Sequence, residues 1–141
     1  MDINQLIKDK KLVIFELDDV LFPAKDYLLQ VYYLFAQFIE YAEQKSAQHI
    51  LDFMRTEYES FGSENLFEKT ATKFELAKAY QHNFDLLHEN ARLPLKLLLF
   101  KNMLNFLQEL VVNRVSINII APSIMLVKTV GLEKYFFILI L

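Results

Sequence analysis

Cysteine and tryptophan are missing from this chain of 141 residues, and it holds only two glycines and three prolines. The lack of cysteine excludes disulfides and thiolate metal sites. With so little glycine and proline, the turns that a many-stranded β architecture needs are scarce, whereas thirteen Phe and seven Tyr supply side chains for helical packing. A signal peptide's uninterrupted apolar segment is missing too. The opening Met-Asp-Ile-Asn-Gln-Leu-Ile-Lys-Asp-Lys-Lys mixes charges, so a cytoplasmic protein is expected. No apolar run approaches the roughly 20 residues of a transmembrane helix, so no membrane partner is expected. Nor is there an excess of positive charge. Fifteen basic against eighteen acidic residues leave a net charge of −3, which argues against a nucleic-acid partner held through bulk charge.

What is present is a 54% hydrophobic sequence, enough for one domain with a real core and room for an inserted lobe. Its most informative stretch is residues 12–23, Leu-Val-Ile-Phe-Glu-Leu-Asp-Asp-Val-Leu-Phe-Pro, where an apolar run leads straight into Glu16, Asp18 and Asp19. An unbroken apolar run is the pattern of a parallel strand covered on both faces, so residues 11–17 are expected to form a central strand. Open α/β sheets bind ligands outside the carboxyl ends of their strands, where such acids can hold a metal or a phosphate. The simpler reading is that Asp18 and Asp19 cap the turn that follows.

Downstream, Leu28, Val31, Tyr32, Phe35, Phe38, Ile39 and Ala42 recur at spacings of three and four, predicting a helix from Asp26 to about Lys45. A second helix is expected from Ser46 to Phe61, stopped by Gly62, where the chain can adopt a positive φ. A third is expected from about Glu64 to Tyr80 with Ser63 as its N-cap, and a short fourth over Phe84 to Asn90. Pro94 marks the expected start of a fifth, running to Asn113. Val115, Ile117 and Ile119 then alternate with Ser116 and Asn118, predicting a second strand over 114–120. A short helix from about Ile124 to Val130, ending at Gly131, and a third buried strand over 136–141 complete the pattern. The order of strand, helices, strand, helix, strand is that of an α/β domain with a parallel sheet. The aromatic stripe from Tyr27 to Tyr41 reads as core packing rather than as a ligand cleft, and His49, His82 and His88 are too irregularly spaced for a zinc set.

Glu16-Leu17-Asp18-Asp19-Val20-Leu21, closing its apolar strand, resembles the first motif of the haloacid dehalogenase (HAD) superfamily, Asp-x-Asp-x-(Thr/Val)-(Leu/Val) after four apolar residues. It matches at every position but the first. Within that superfamily the run through Pro23 is most similar to helical-cap enzymes of the phosphoglycolate phosphatase and pyrimidine nucleotidase type. Gly131-Leu132-Glu133-Lys134-Tyr135-Phe136 resembles the segment that returns to the sheet. The resemblance implies an α/β fold, a Rossmann-like HAD core with a parallel sheet, three of whose strands are present, and an inserted all-helical cap. The core would comprise residues 1–23 and 93–141, the cap residues 24–92. It further implies a magnesium-dependent phosphomonoester hydrolase acting on a small phosphorylated metabolite. Glu16 would stand in the nucleophile slot, Asp18 would be the general acid/base, and both would contribute to binding Mg2+.

The departures from the pattern are equally specific. Glu16 replaces the nucleophilic Asp, and its extra methylene shifts the carboxylate by about 1 Å, enough to cost roughly a hundredfold in rate. The hydroxyl of the second motif falls on Ala121, leaving Ser123 as the nearest phosphate-binding candidate. The lysine and the acidic pair of the remaining motifs have no counterpart before residue 141, and Lys128 and Lys134 read as ordinary charges. Weak Mg2+ binding and weak or no hydrolysis are therefore expected of this HAD-type scaffold, so whether it is an enzyme stays open. The alternative is a non-catalytic HAD-fold binding module, with self-association through the apolar C-terminal strand as one way to use it.

Overall fold

The computed structural model describes Gln5, residues 7–120 and, by their backbone, Ala121 and residues 137–140. The fold is mixed α/β, mostly helical, with a small parallel sheet. Its described elements are β1 (Leu12–Glu16), α1 (Ala24–Glu43), α2 (Ala47–Phe61), α3 (Leu66–Phe74), α4 (Tyr80–Asn90), α5 (Lys101–Val112), β2 (Ser116–Ala121) and β3 (Phe137–Ile140). They fall into two compact units, residues 1–24 with 96–141 and residues 25–95. Among the described residues no helix is long and apolar enough to cross a membrane.

In the first unit the strands lie in the order β1-β2-β3, with both pairings parallel. Leu12 stands beside Ser116 and Glu16 beside Ile120. This register puts Val13, Phe15, Ile117 and Ile119 on one face and Leu12, Ile14, Glu16, Ser116 and Asn118 on the other. The first face is the core. Phe15, Ile117 and Ile119 are buried together with Leu107 and Leu110 of α5, and Phe15 meets Phe106 edge to face at 5.8 Å. The alternation expected of β2 is therefore present, with Val115, Ile117 and Ile119 all buried.

The expectation for β1 needs correction. Among the described residues it is an edge strand rather than a central one, and Leu12 and Ile14 remain 46% and 51% exposed. An apolar run records which side chains prefer burial, but only elements packed on both faces provide it, and here the buried side chains are those facing α5.

The second unit is a helical cluster. Val31, Tyr32, Phe35, Ala36 and Ile39 of α1 are buried with Ile50 and Met54 of α2, Leu66 and Phe67 of α3, Leu76, and Phe84 of α4. Edge-to-face contacts join Phe35 to Phe84 at 5.1 Å and to Phe67 at 5.9 Å. Of the aromatic stripe of α1, Tyr32 and Phe35 are core and Tyr27 and Phe38 pack against it, whereas Tyr33 and Tyr41 are exposed. Thr70, a buried polar residue, donates to the Leu66 carbonyl at 2.7 Å, so its hydroxyl is satisfied within its own helix.

Helix ends separate what composition can announce from what it cannot. Helix α2 starts after N-cap Ser46, whose hydroxyl accepts from His49 N, and stops as expected at Gly62, with φ 77°. The expected third helix is shorter at both ends, beginning after Asn65 rather than Ser63 and ending at Phe74, with Glu75 next at φ 53°. The expected fourth begins earlier, at Tyr80 rather than Phe84. The fifth helix begins at Lys101, not Pro94. Before it, Phe100 donates its N–H to the Leu21 carbonyl at 2.9 Å, a tertiary bond that competes with helix formation. The helix expected over 124–130, the Gly131–Phe136 segment, Ser123, Lys128 and Lys134 lie outside the described residues.

Candidate functional site

The site candidate is the carboxyl end of β1, where strand pairing gives way to a tight reversal. Leu17 still bonds to the sheet, donating its N–H to the Ile120 carbonyl at 3.2 Å. Its side chain is fully buried, with Leu21 and Phe22. These three apolar residues anchor the loop from inside, which turns the intervening acids outward. Alternation about Leu17 puts Glu16 and Asp18 on the same side of the chain, Glu16 exposed and Asp18 half-buried.

The reversal is a single helical turn followed by a bridge. Leu21 donates to the Leu17 carbonyl at 3.0 Å, and Asp19 donates its N–H to the Phe22 carbonyl at 2.9 Å. Asp18 and Phe22 form an isolated parallel bridge. Asp19 sits at φ 56°, in the left-handed region. Its Oδ1 accepts the N–H of Ala24, the first residue of α1, at 2.9 Å. Asp19 therefore fills the capping role that a turn-forming Asp suggests, and an Asp tolerates that backbone better than most residues. Asp18 stays beside Glu16 as the chemically available acid.

Burial raises the Asp18 carboxyl above its ordinary value, and the neighbouring charges of Asp19 and Glu16 push it the same way. A carboxyl raised by burial beside a second acid is the pairing that general acid catalysis uses. No phosphate-binding partner accompanies it among the residues described, because Ser123 lies outside them and β2 ends on Ala121, which has no hydroxyl.

The acids fit a resident magnesium ion poorly. That ion requires near-octahedral oxygen coordination, and among the described residues no three Asp, Glu, His or Cys side chains come together as a ligand set. Glu16 and Asp18 alone would offer a partial set, with the remainder left to water and substrate.

The histidines belong to the second unit. His88 belongs to α4, where its ring stacks edge-on to Phe84 at 4.7 Å and lies 6.0 Å from the Tyr27 ring. Burial lowers its imidazole below the ordinary value, with Asp85 opposing the shift. An exposed His82 would be easy to anticipate, but this half-buried ring was not, because its spacing from other histidines carries no information about an aromatic neighbourhood. No protein-family model matches this sequence, and no curated protein matches it.

Proposed function

We propose that this chain is a phosphomonoester hydrolase of the HAD type with low intrinsic activity, acting through the carboxylates at the end of β1. The observation that carries the reading is the pairing of exposed Glu16 with half-buried Asp18, whose carboxyl is raised by burial and by its acidic neighbours. In this reading a Glu16 oxygen attacks the phosphorus of a small phosphorylated metabolite, forming an acyl phosphate as the bond to the leaving oxygen breaks. Asp18 gives its proton to the departing alkoxide, then takes one from the water that hydrolyses the acyl phosphate, restoring both groups. Magnesium belongs to the reading through family resemblance, and the partial ligand set among the described residues is the reason that low activity is expected. A Rossmann-like core with a helical cap is part of the same proposal.

The test is turnover of a generic phosphomonoester, with and without added magnesium, by the wild-type chain, Glu16→Asp and Asp18→Asn. The reading expects a gain from Glu16→Asp and a loss from Asp18→Asn. Identical rates for all three overturn it.

One observation favours a second reading, a non-catalytic interaction module. Leu12 and Ile14 hold exposed apolar surface on an edge strand, the kind of feature that pairs with another chain. Retained folding and association with no turnover in any variant would select this reading over the first.

A further inference from the structure

Helices α3 and α4 are joined by the short segment 75–79, which opens on Glu75 in the left-handed region. The chain folds back there, so that Phe84 meets Phe67 with ring centroids 5.8 Å apart. Beside this contact the helical unit holds an open-sided cavity of about 710 Å³, within the size range of small-molecule sites. Its floor is apolar and fixed. Phe67 and Leu76 are only 4% and 7% exposed and belong to the core, and Ala71 packs against it. A floor held from behind is already in place before a ligand arrives, so binding does not have to order it.

The rim carries one charge of each sign. Glu68 and Lys78 both line the cavity and are exposed, and among the described residues neither the carboxylate nor the ammonium has a partner. Thr72 and Gln81 complete the lining. Thr72 Oγ1 donates to the Glu68 carbonyl and Gln81 Nε2 to Asp85 Oδ1, each at 2.8 Å, which leaves the hydroxyl and amide oxygens as acceptors. The cavity thus offers an anion, two neutral acceptors and a cation over an apolar floor. A fatty acid or a sugar phosphate would set its charge against Glu68, and a polyamine would set its charge against Lys78. A molecule with an ammonium, N–H donors, a carboxylate and apolar side chains answers every group. Length selects among such molecules. Glu68 stands one turn before Thr72, about 6 Å along α3, and Lys78 follows only after that helix has ended. A free α-amino acid bears both charges on one carbon, whereas two or three linked residues span roughly 7–10 Å.

We propose that the cavity between α3 and α4 binds a short apolar peptide of two or three residues, with its ammonium at Glu68, its carboxylate at Lys78 and its side chains on Phe67, Ala71 and Leu76. The inference is independent of the hydrolase reading and uses no residue of the β1 site.

Isothermal titration calorimetry of the full chain with the tripeptide Leu-Ala-Leu tests it, with circular dichroism confirming that each variant folds. Saturable binding is expected. Glu68→Gln and Lys78→Gln are each expected to weaken it about fivefold, the size of one exposed ion pair. Blocked peptides identify which charge meets which. Glu68→Gln should leave the affinity for the N-acetylated peptide unchanged, and Lys78→Gln the affinity for the C-terminal amide, because the charge that each substitution would orphan is already gone. Triglycine carries both charges but nothing for the apolar floor, and should bind about tenfold more weakly. No binding of Leu-Ala-Leu up to about 1 mM, equal losses for free and blocked peptides, or equal affinity for triglycine overturns the proposal.

Discussion

Asp19 Oδ1 accepts the backbone N–H of Ala24 at 2.9 Å while Asp19 itself stands at φ 56°. The same residue thus satisfies an orphan donor at the start of α1 and occupies a backbone region that disfavours most side chains. Asp19→Ala loses both advantages and is expected to destabilise the protein by about 1–3 kcal/mol. Asp19→Asn keeps an acceptor and a tolerant backbone and should cost much less. Asp19→Gly keeps only the backbone freedom and should fall between them. Urea denaturation of the three variants checks the order, and equal losses for Ala and Asn would remove the capping account.

Glu75 ends α3 at φ 53° without glycine's freedom. Its side chain is exposed, and the backbone carbonyl, not the carboxylate, receives Lys45 Nζ at 3.1 Å. Glu75→Gly is therefore expected to relieve strain while leaving that bond intact, raising stability by about 1 kcal/mol. Thermal unfolding reads the change. A lower midpoint would mean that the carboxylate contributes more than the strain costs.

These two positions show why part of the fold was legible in the sequence and part was not. Ser46 and Gly62 advertise the ends of α2 by residue type, because a hydroxyl caps and a glycine permits positive φ. Glu75 advertises nothing. An acid in the left-handed region is held there by tertiary packing, so the apolar spacing ran on through the break. The same applies to residues 94–100, where helical periodicity continued but the Phe100–Leu21 bond holds the chain before α5. At the candidate site, the acids were found because an apolar strand ended on them. The spacing of two from Glu16 singled out Asp18, whereas the capping role of Asp19 depended on its left-handed turn, which the residue order does not announce. The exposure of Leu12 and Ile14 was hidden for the opposite reason, since hydrophobicity does not record what a strand packs against.

Phe35 is fully buried among Phe67 and Phe84. Removing its ring leaves a cavity that the surrounding aromatics cannot close, so Phe35→Ala is expected to cost about 3–5 kcal/mol. Phe35→Leu should cost less. Chemical denaturation distinguishes them, and a loss below about 1 kcal/mol for Phe35→Ala would show that this aromatic cluster is loosely packed.

His88 gives the fold a pH dependence of known sign. Burial lowers its imidazole in the folded state, so the unfolded chain binds its proton more readily. The neutral ring's contribution is fully present above the ordinary imidazole value of about 6.5 and is lost as pH falls through it toward the lower folded value. His88→Phe keeps a ring beside Tyr27 and Phe84 but cannot titrate. Subtracting its stability from that of the wild type between neutral and mildly acidic pH removes the shared carboxylate contributions. The difference should grow in favour of Phe as pH falls, and a constant difference would contradict the assignment.

In the proposed hydrolase, the end of β1 carries the chemistry and Glu16 limits it. The most direct measurement is kcat/KM for a generic phosphomonoester in magnesium, compared between the wild-type chain and Glu16→Asp. Shortening the side chain returns the carboxylate by about 1 Å toward the position that the resemblance implies for a nucleophile, and the predicted gain is about a hundredfold. A rate unchanged or lowered by Glu16→Asp would contradict the claim.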